Sequence, residues 1–401
     1  MLAVSQQESL GQGYVMVPVR YNFRSVLERR GTSLMTMLGV ALVSMILIIV
    51  FGFMAGLRQS LANAGQDRNW VVLARGVTSE NESYVPHEAT EVLRARPEIA
   101  LDSDGHPLIS RESIAGINVS QTHGAKEFAL LRGVEPIAYQ VHPNLHLVEG
   151  HWPTRGNDEW VVGQRLLARY PYLHPGTTFH YAHRDWKIVG IFSDHDSARE
   201  SELWTDIEDL RNARHWDAGG AASLHLVLGP GRSGEFQQAV KSDGRFTLDS
   251  ESETEYYAAQ AKVAGQLQGL GLIVALALAI GATFGGMNTM YTAVTRRGRE
   301  IGVLRVLGFS RADILGSFVI ESAILGLAGG VLGVLFAAIA AWATGLTSRT
   351  MSIGAMFFSY HATPSAMVAG VAVAAIIGVV GGLMPAVRAS RIGIISSLRE
   401  A

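Results

Sequence analysis

The residues best placed to do chemistry lie in one short charged segment between two long apolar stretches. Arg297, Glu300 and Arg305 follow one another within nine residues, and Gly308 comes three residues later. Read as a helix, the segment ends naturally at Gly308, and Arg296 lies one turn from Glu300 for a modest ion pair. Its apolar stripe consists of Ile301, Val303, Leu304 and Leu307. An amphipathic helix of this kind lies on a membrane surface or docks into a groove on a partner, so the segment predicts binding.

Motifs for catalysis or for metal binding are missing from the sequence. Twelve of the 13 histidines fall between residues 58 and 262, but their spacing is irregular and no His-Glu-x-x-His occurs. The group includes His142, His146, His151, His174, His180, His183 and His195. We expect histidines that lie on the surface or satisfy the fold, no metal site and no catalytic residue. The absence of cysteine excludes disulfides, thiolate metal sites and cysteine nucleophiles.

Nucleotide and nucleic-acid binding are also unsupported. No Gly-x-x-x-x-Gly-Lys-Ser/Thr occurs, and all lysines lie in the middle of the chain, at positions 126, 187, 241 and 262. The net charge of −2 predicts no nucleic-acid partner. We therefore expect no cofactor in this chain.

Four apolar stretches must position the charged segment. With 48% hydrophobic and 17% charged residues, the composition points to a membrane. The stretches 31–57, 263–295, 314–346 and 365–387 each reach the roughly 20 residues that cross a bilayer. The third contains one carboxylate, Glu321, for which an ion pair with a cytoplasmic arginine is the favoured account and a proton or substrate relay the alternative. Glycine pairs four residues apart in these stretches predict tight helix packing, with homodimer contacts as the alternative.

Arginines at the ends of these stretches predict the orientation of the chain, because short cytoplasmic loops collect basic residues. Arginines precede the first stretch, fill the 296–313 segment and follow the fourth stretch, whereas the 347–364 loop holds only Arg349. We expect a multi-pass protein of the inner (plasma) membrane with both termini cytoplasmic. Its N-terminal segment 1–30 would include an interfacial helix, 388–401 would be a cytoplasmic tail, and 58–262 and 347–364 would lie outside.

The 58–262 region predicts an extracytoplasmic α+β domain. Short β-type runs start at Trp70, Trp160, Trp186 and Ser223, separated by turn signals. Residues 251–261 predict the polar foot of a helix that continues into the second apolar stretch. The predicted fold class is thus a four-helix membrane protein with an inserted α+β domain.

The charged segment resembles the FtsX-like permease superfamily, whose members include the macrolide exporter MacB and the lipoprotein-releasing proteins LolC and LolE. The matching positions are Asn288, Met290, Arg297, Glu300, Ile301, Gly302, Arg305 and Gly308. The similarity continues through the 58–262 region and to Pro385 near the end. One departure is the C-terminus, where the family often has a proline before a final Leu-Arg.

The resemblance implies a function and a set of partners. It implies the permease subunit of an ABC transporter of the MacB and lipoprotein-releasing type, with a MacB-like periplasmic core domain. A separate ATPase would bind ATP and Mg and pass its motion through the 296–313 coupling helix to the outer domain, driving efflux. The ATPase-coupling residues would be Arg297, Glu300, Ile301, Gly302, Leu304, Arg305 and Gly308.

Further partners implied are a second permease in a homodimer or heterodimer, a periplasmic adaptor protein and membrane lipid. The alternative function is that of an FtsX-like regulator, which couples an ATPase to a cell-wall hydrolase through the outer domain. A membrane-bound sensor or enzyme without any ATPase is disfavoured by the match of the coupling segment.

Overall fold

The structure, a computed structural model, describes residues 30–119, 128–216, 219–344, 346, 350–353 and 356–392. The predicted interfacial helix before Arg30, Arg349 and the tail beyond Ile392 lie outside the described residues. The chain divides into two compact units, one of long helices and one that contains residues 52–268 and 341–361.

Four long helices carry the apolar stretches. They are α1 (Arg30–Ala64), α7 (Glu253–Arg296), α9 (Arg311–Ala343) and α10 (Pro364–Ser390), and each is long and apolar enough to cross a membrane. This confirms the predicted number of spans. Helix α1 continues past the predicted span 31–57 to Ala64, because a helix already formed continues through polar residues such as Arg58. Helix α7 begins at Glu253, in agreement with the polar foot predicted at 251–261. At 44 residues, α7 is about 66 Å long, more than twice the roughly 30 Å of a bilayer core.

The helix ends follow from local chemistry. Ser310 and Asp313 form a capping box before α9, in which the Ser310 N–H donates to the Asp313 carboxylate and the Asp313 N–H donates to the Ser310 hydroxyl. At α10, the Thr363 hydroxyl accepts from the Ala366 N–H, and Pro364 occupies the first turn. The third long helix, α9, begins at Arg311 and ends at Ala343, whereas the predicted span was 314–346.

Glycines let the membrane helices approach closely. A Cβ added to Gly326 would lie 2.6 Å from the Ala374 carbonyl oxygen, and one added to Gly330 would lie 3.0 Å from the Val371 Cα. Gly378 similarly faces the backbone of Ser322. These contacts confirm tight packing for the glycines of α9 and α10, whereas a Cβ at Gly281 would meet no heavy atom within 4 Å.

We expect Gly378→Val to destabilise the folded chain by about 1–3 kcal/mol or more, because the new Cβ would lie 2.5 Å from the Ser322 carbonyl oxygen. Thermal unfolding of the full chain in detergent would measure the loss. Gly281→Val is the matched control and is expected to leave the midpoint nearly unchanged. Equal effects of the two substitutions would contradict the packing.

The second unit is built on a mixed ten-stranded sheet. Its strands are β1 (Asn69–Ala74), β2 (Ile109–Asn118), β3 (Phe128–Val134), β4 (His146–Gly150), β5 (Glu159–Gly163), β6 (Thr178–Tyr181), β7 (Arg184–Ser193), β8 (Glu202–Asp206), β9 (Ser223–Val227) and β10 (Leu248–Ser252). Their order is β10-β1-β9-β2-β3-β8-β5-β7-β4, and β6 pairs with β7. The pairs β3–β8 and β5–β7 are parallel, and the others are antiparallel.

Five helices accompany the sheet. They are α2 (His87–Arg94), α3 (Ala138–Val141), α4 (Gln164–Arg169), α5 (Ile207–Arg214) and α6 (Ser233–Ser242). One apolar core surrounds Trp160 and Trp186, and a second surrounds Phe236 and Leu226. The β-type runs predicted at Trp70, Trp160, Trp186 and Ser223 are β1, β5, β7 and β9. These strands and helices confirm the predicted inserted α+β domain.

The loop predicted at 347–364 contains a short hairpin. Its strands are β11 (Thr350–Ile353) and β12 (Met356–Ser359). The segment belongs to the second unit, where the Tyr360 ring lies against the backbone of Gly52.

Candidate functional site

The predicted coupling segment forms a separate short helix, α8 (Gly298–Val306). It is shorter than the 296–313 segment to which the coupling helix was assigned. Helix α7 ends at Arg296, because Arg297 has a non-helical backbone conformation with φ −103° and ψ 10°. At the other end Gly308 has φ +99°, a conformation that favours glycine, which confirms the predicted stop.

Arg297 forms the ion pair expected for Glu321. Its Nη1 donates to Glu321 Oε2 at 3.1 Å, and Glu321 is only 3% exposed. Arg297 Nε also lies 3.6 Å from Glu300 Oε2, so the partner found for Glu300 is Arg297 rather than the predicted Arg296. One arginine therefore connects the start of α8 to the interior of α9.

The inner face of α8 belongs to the core of the helical unit. Ile301 is 2% exposed and packs in a cluster with Met290, Val294 and Phe318. Gly302 is buried as well. The prediction that Ile301 contributes to an exposed docking surface was wrong, because the helix turns this side chain toward α7 and α9.

The outer face of α8 carries exposed apolar side chains. Val303, Val306 and Leu307 are exposed, Leu307 by 70%. Of the other predicted coupling residues, Glu300 and Gly308 are exposed, while Leu304 and Arg305 are half-buried. Arg305 Nη1 donates to the Phe309 carbonyl oxygen at 3.1 Å. The structure thus separates residues that hold α8 in place from residues that could contact a partner.

A second concentration of charge lies inside the sheet domain. Arg132, 3% exposed, contacts three carboxylates: Glu202 at 2.7 Å, Glu112 at 2.8 Å and Glu80 at 3.0 Å. A larger group continues from them, and we call it the buried ionic cluster: Glu80, Glu112, Arg132, His142, Arg199, Glu202, His225 and Glu253.

Within this cluster, Arg199 connects the ends of two long helices. Its Nη1 donates to the carbonyl oxygen of Ala64, the last residue of α1, at 2.6 Å. Its Nη2 donates to Oε1 of Glu253, the first residue of α7, at 2.9 Å. A cation at a helix C-terminus and a carboxylate at a helix N-terminus both oppose the helix dipole favourably. Arg199 therefore fastens the ends of α1 and α7 within the sheet domain.

Three glutamates of the cluster, Glu80, Glu112 and Glu253, are ionised. Burial would raise the pKa of Glu80, but Arg132 and His225 outweigh burial and hold that pKa well below its usual range. Burial is likewise outweighed at Glu253, where Arg199 and His225 lower the pKa to about 2. The same balance lowers the pKa of Glu112.

The two histidines of the cluster differ in charge. Burial would lower the pKa of His225, yet Glu112, Glu253 and Glu80 raise it to about 10, so this ring is positively charged at neutral pH. Burial and the nearby Arg199 lower the pKa of His142, which is therefore neutral. His142 Nε2 lies 2.9 Å from Glu112 Oε1.

Sequence reasoning missed this cluster, although a signal was present. Arg132 and His225 lie in largely apolar strands, where a charged side chain is seldom buried unless it is paired. The chain turns at His195 and Asp196, whose φ values are +49° and +59°.

Comparisons with known proteins agree with this architecture. The profile described as MacB-like periplasmic core domain matches residues 33–243, about half of the chain, and the profile described as FtsX-like permease C-terminal matches residues 272–394. The first profile covers α1 and most of the sheet domain. The second covers most of α7 and all of α8, α9 and α10.

Three relatives illustrate the similarity. The uncharacterized ABC transporter permease YknZ of Bacillus subtilis is 36% identical over 32% of this chain and 30% of its own length. The macrolide export ATP-binding/permease protein MacB of Nitrobacter winogradskyi is 38% identical over 32% of this chain and 19% of its own length. The chain thus spans less than a third of the length of these two relatives. The uncharacterized ABC transporter permease YvrN of Bacillus subtilis is 24% identical over 95% of this chain and 98% of its own length.

The two matching profiles, four apolar helices and an inserted mixed-sheet domain lead to one assignment. The chain is a membrane protein that belongs to the FtsX-like permease family with a MacB-like periplasmic core domain.

Proposed function

We propose that this chain is the permease subunit of an ABC transporter and that α8 receives the motion of a separate ATPase. The observation that carries the proposal is the division of α8 into two faces. Its inner face is held by the Arg297–Glu321 ion pair and by buried Ile301, while Val303, Val306 and Leu307 remain exposed. Exposed apolar side chains on an anchored helix are the form expected of a surface that docks into a partner's groove.

The path of the proposed motion is α7. This helix is continuous from Arg296, next to α8, to Glu253, which Arg199 holds in the sheet domain. A displacement of α8 would reach α7 through the chain itself and through the packing of Ile301. In this proposal α8 and both chain ends are cytoplasmic, the sheet domain is periplasmic, and the permease is paired with a second permease in the inner membrane. ATP and Mg would bind to the ATPase, and the substrate would be exported by way of the outer domain.

We expect the double substitution Val306→Asp and Leu307→Asp to lower permease-stimulated ATPase activity at least about tenfold. Burying each apolar side chain in a partner contributes about 1.5–3 kcal/mol, and a loss of 1.4 kcal/mol already weakens binding tenfold. The measurements are the activity of a candidate partner ATPase in the presence of the permease and the co-purification of the two proteins.

Two controls make this test specific. Leu101→Asp introduces the same charge at another exposed apolar residue, one in the sheet domain, and should leave ATPase stimulation intact. Ile301→Ala should lower the unfolding midpoint of the permease itself, since emptying a buried isoleucine site costs about 2–5 kcal/mol. Unchanged stimulation by the double aspartate variant, in a permease that folds normally, would refute the docking role of this face.

A further inference from the structure

Two buried histidines of the sheet domain lie between carboxylates. His142 Nε2 is 2.9 Å from Glu112 Oε1, and His225 Nε2 is 2.7 Å from Glu80 Oε1 and 3.7 Å from Glu112 Oε2. One ligand atom each of Glu112, His142 and His225 lies within 4.8 Å of the other two. A tetrahedral ion with bonds of about 2.0–2.2 Å has ligand atoms about 3.4 Å apart, so binding requires these side chains to adjust around the ion.

The opposite edges of both rings face one carboxylate, Glu253. Its Oε1 lies 2.9 Å from His225 Nδ1 and 3.7 Å from His142 Nδ1. Among the residues that the structure describes, His142 Nδ1 and Glu253 Oε2 have no hydrogen-bond partner, although both side chains are buried. Buried polar atoms are seldom left in this state, so the pair requires an explanation.

The tautomer of His142 explains the unpaired atoms. When neutral His142 donates its Nε2 proton to Glu112, its unprotonated Nδ1 faces the Glu253 carboxylate. Neither His142 Nδ1 nor the carboxylate can then donate a hydrogen bond. If a cation takes the place of the proton on Nε2, the proton moves to Nδ1 and can be donated to Glu253. Both histidines would then have one nitrogen on the cation and the other hydrogen-bonded to a carboxylate, the usual arrangement of metal-bound histidines.

We propose that Glu80, Glu112, His142 and His225 form a closed site for one divalent transition-metal ion of the zinc type. Nε2 of each histidine and one oxygen of each glutamate would be the ligands, and Glu253 would accept the Nδ1 protons of both rings. Two imidazoles and two carboxylates suit zinc, and four protein ligands are typical of structural sites. Binding releases the Nε2 proton of His225 to solvent and moves the His142 proton from Nε2 to Nδ1.

The charge of the surroundings supports a dication. The four glutamates of the buried ionic cluster exceed its two arginines by two negative charges, and neither histidine offsets this excess once the Nε2 proton of His225 has been released.

The ion would join parts of the chain that are far apart in sequence. Its ligands come from the 3-10 turn at Glu80–Glu82, from β2, from β9 and from the residue that follows α3. Through Glu253 it would also stiffen the start of α7. The inference does not depend on the proposed function, since it concerns the sheet domain alone.

The test is the metal content of the full chain in detergent, stripped with a chelator, reloaded with ZnCl₂ and dialysed. We expect one zinc per chain by elemental analysis and a higher unfolding midpoint with zinc than after chelation. Co²⁺ loading of the unaltered chain should give the visible absorption of a four-coordinate ion. His142→Gln should bind zinc at least about 100-fold more weakly. Mutating residues that only hydrogen-bond to metal ligands already lowers metal affinity by about 10- to 100-fold.

His106→Gln is the matched control, because Asp102, Asp104 and His106 form an exposed group that could hold zinc adventitiously. This variant should keep the zinc of the unaltered chain. The proposal is overturned if the reloaded chain holds no zinc and no cobalt spectrum appears, or if zinc is lost in His106→Gln and kept in His142→Gln. The cobalt spectrum decides the question even if His142→Gln does not fold.

Discussion

Replacing Arg132 by methionine is expected to lower the free energy of unfolding by at least about 3–5 kcal/mol, the cost of leaving a buried charge without its partner. Arg132 is the common partner of Glu80, Glu112 and Glu202, all of them buried. Its loss would leave three carboxylates facing one another away from water. Since domains are stable by only about 5–15 kcal/mol, the variant should be close to unfolding.

Thermal and denaturant unfolding of the full chain in detergent, with protease resistance of the sheet domain as a second readout, would measure the effect. Arg245→Met is the control, because Arg245 forms a two-point ion pair with Asp243 on the surface, where water screens the charges. We expect the control to unfold like the unaltered chain. If the two variants were equally stable, the carboxylates around Arg132 would have to be protonated or hydrated.

The second large effect is expected at the Arg297–Glu321 pair. Glu321→Leu would remove the buried carboxylate that Arg297 contacts, and Arg297→Met would remove that arginine from the Glu321 carboxylate inside an apolar helix. Each change should cost about 3–5 kcal/mol, whereas replacing both charges together should restore much of the loss, because well-packed apolar residues can replace a buried ion pair.

Unfolding of the two single variants and of the double variant forms a complete thermodynamic cycle. Arg299→Met serves as the control, since Arg299 is exposed on the same helix. A double variant as unstable as the sum of its parts would show that the two residues act independently. Coupled ATPase activity of the double variant then tells whether the pair only anchors α8 or also takes part in transmission.

Local patterns in the sequence predicted much of the fold. A long run without charges has to form a helix in a bilayer, so the four spans could be located. The strands at Trp70, Trp160, Trp186 and Ser223 and the stop at Gly308 also depend on neighbouring residues alone. For the same reason the spacing around Glu300 was sufficient to recognise the family.

The orientation of α8 could not be read from its sequence. Ile301 and Leu307 are both apolar and belong to the same predicted stripe, yet one is buried and the other exposed. The non-helical backbone at Arg297 changes the direction of the chain before α8. Packing against the neighbouring long helices then determines which side of α8 is buried. The choice of Arg297 over Arg296 as the partner of Glu300 has the same origin.

The sequence by itself determined the membrane class, the number of spans, the inserted domain and the family. Only the tertiary structure decided which charges meet, because the buried ionic cluster joins residues such as Glu80 and His225, which are 145 positions apart. Residue spacing reports on neighbours along one helix or strand, whereas this cluster is assembled across strands whose order in the sheet differs from their order in the chain.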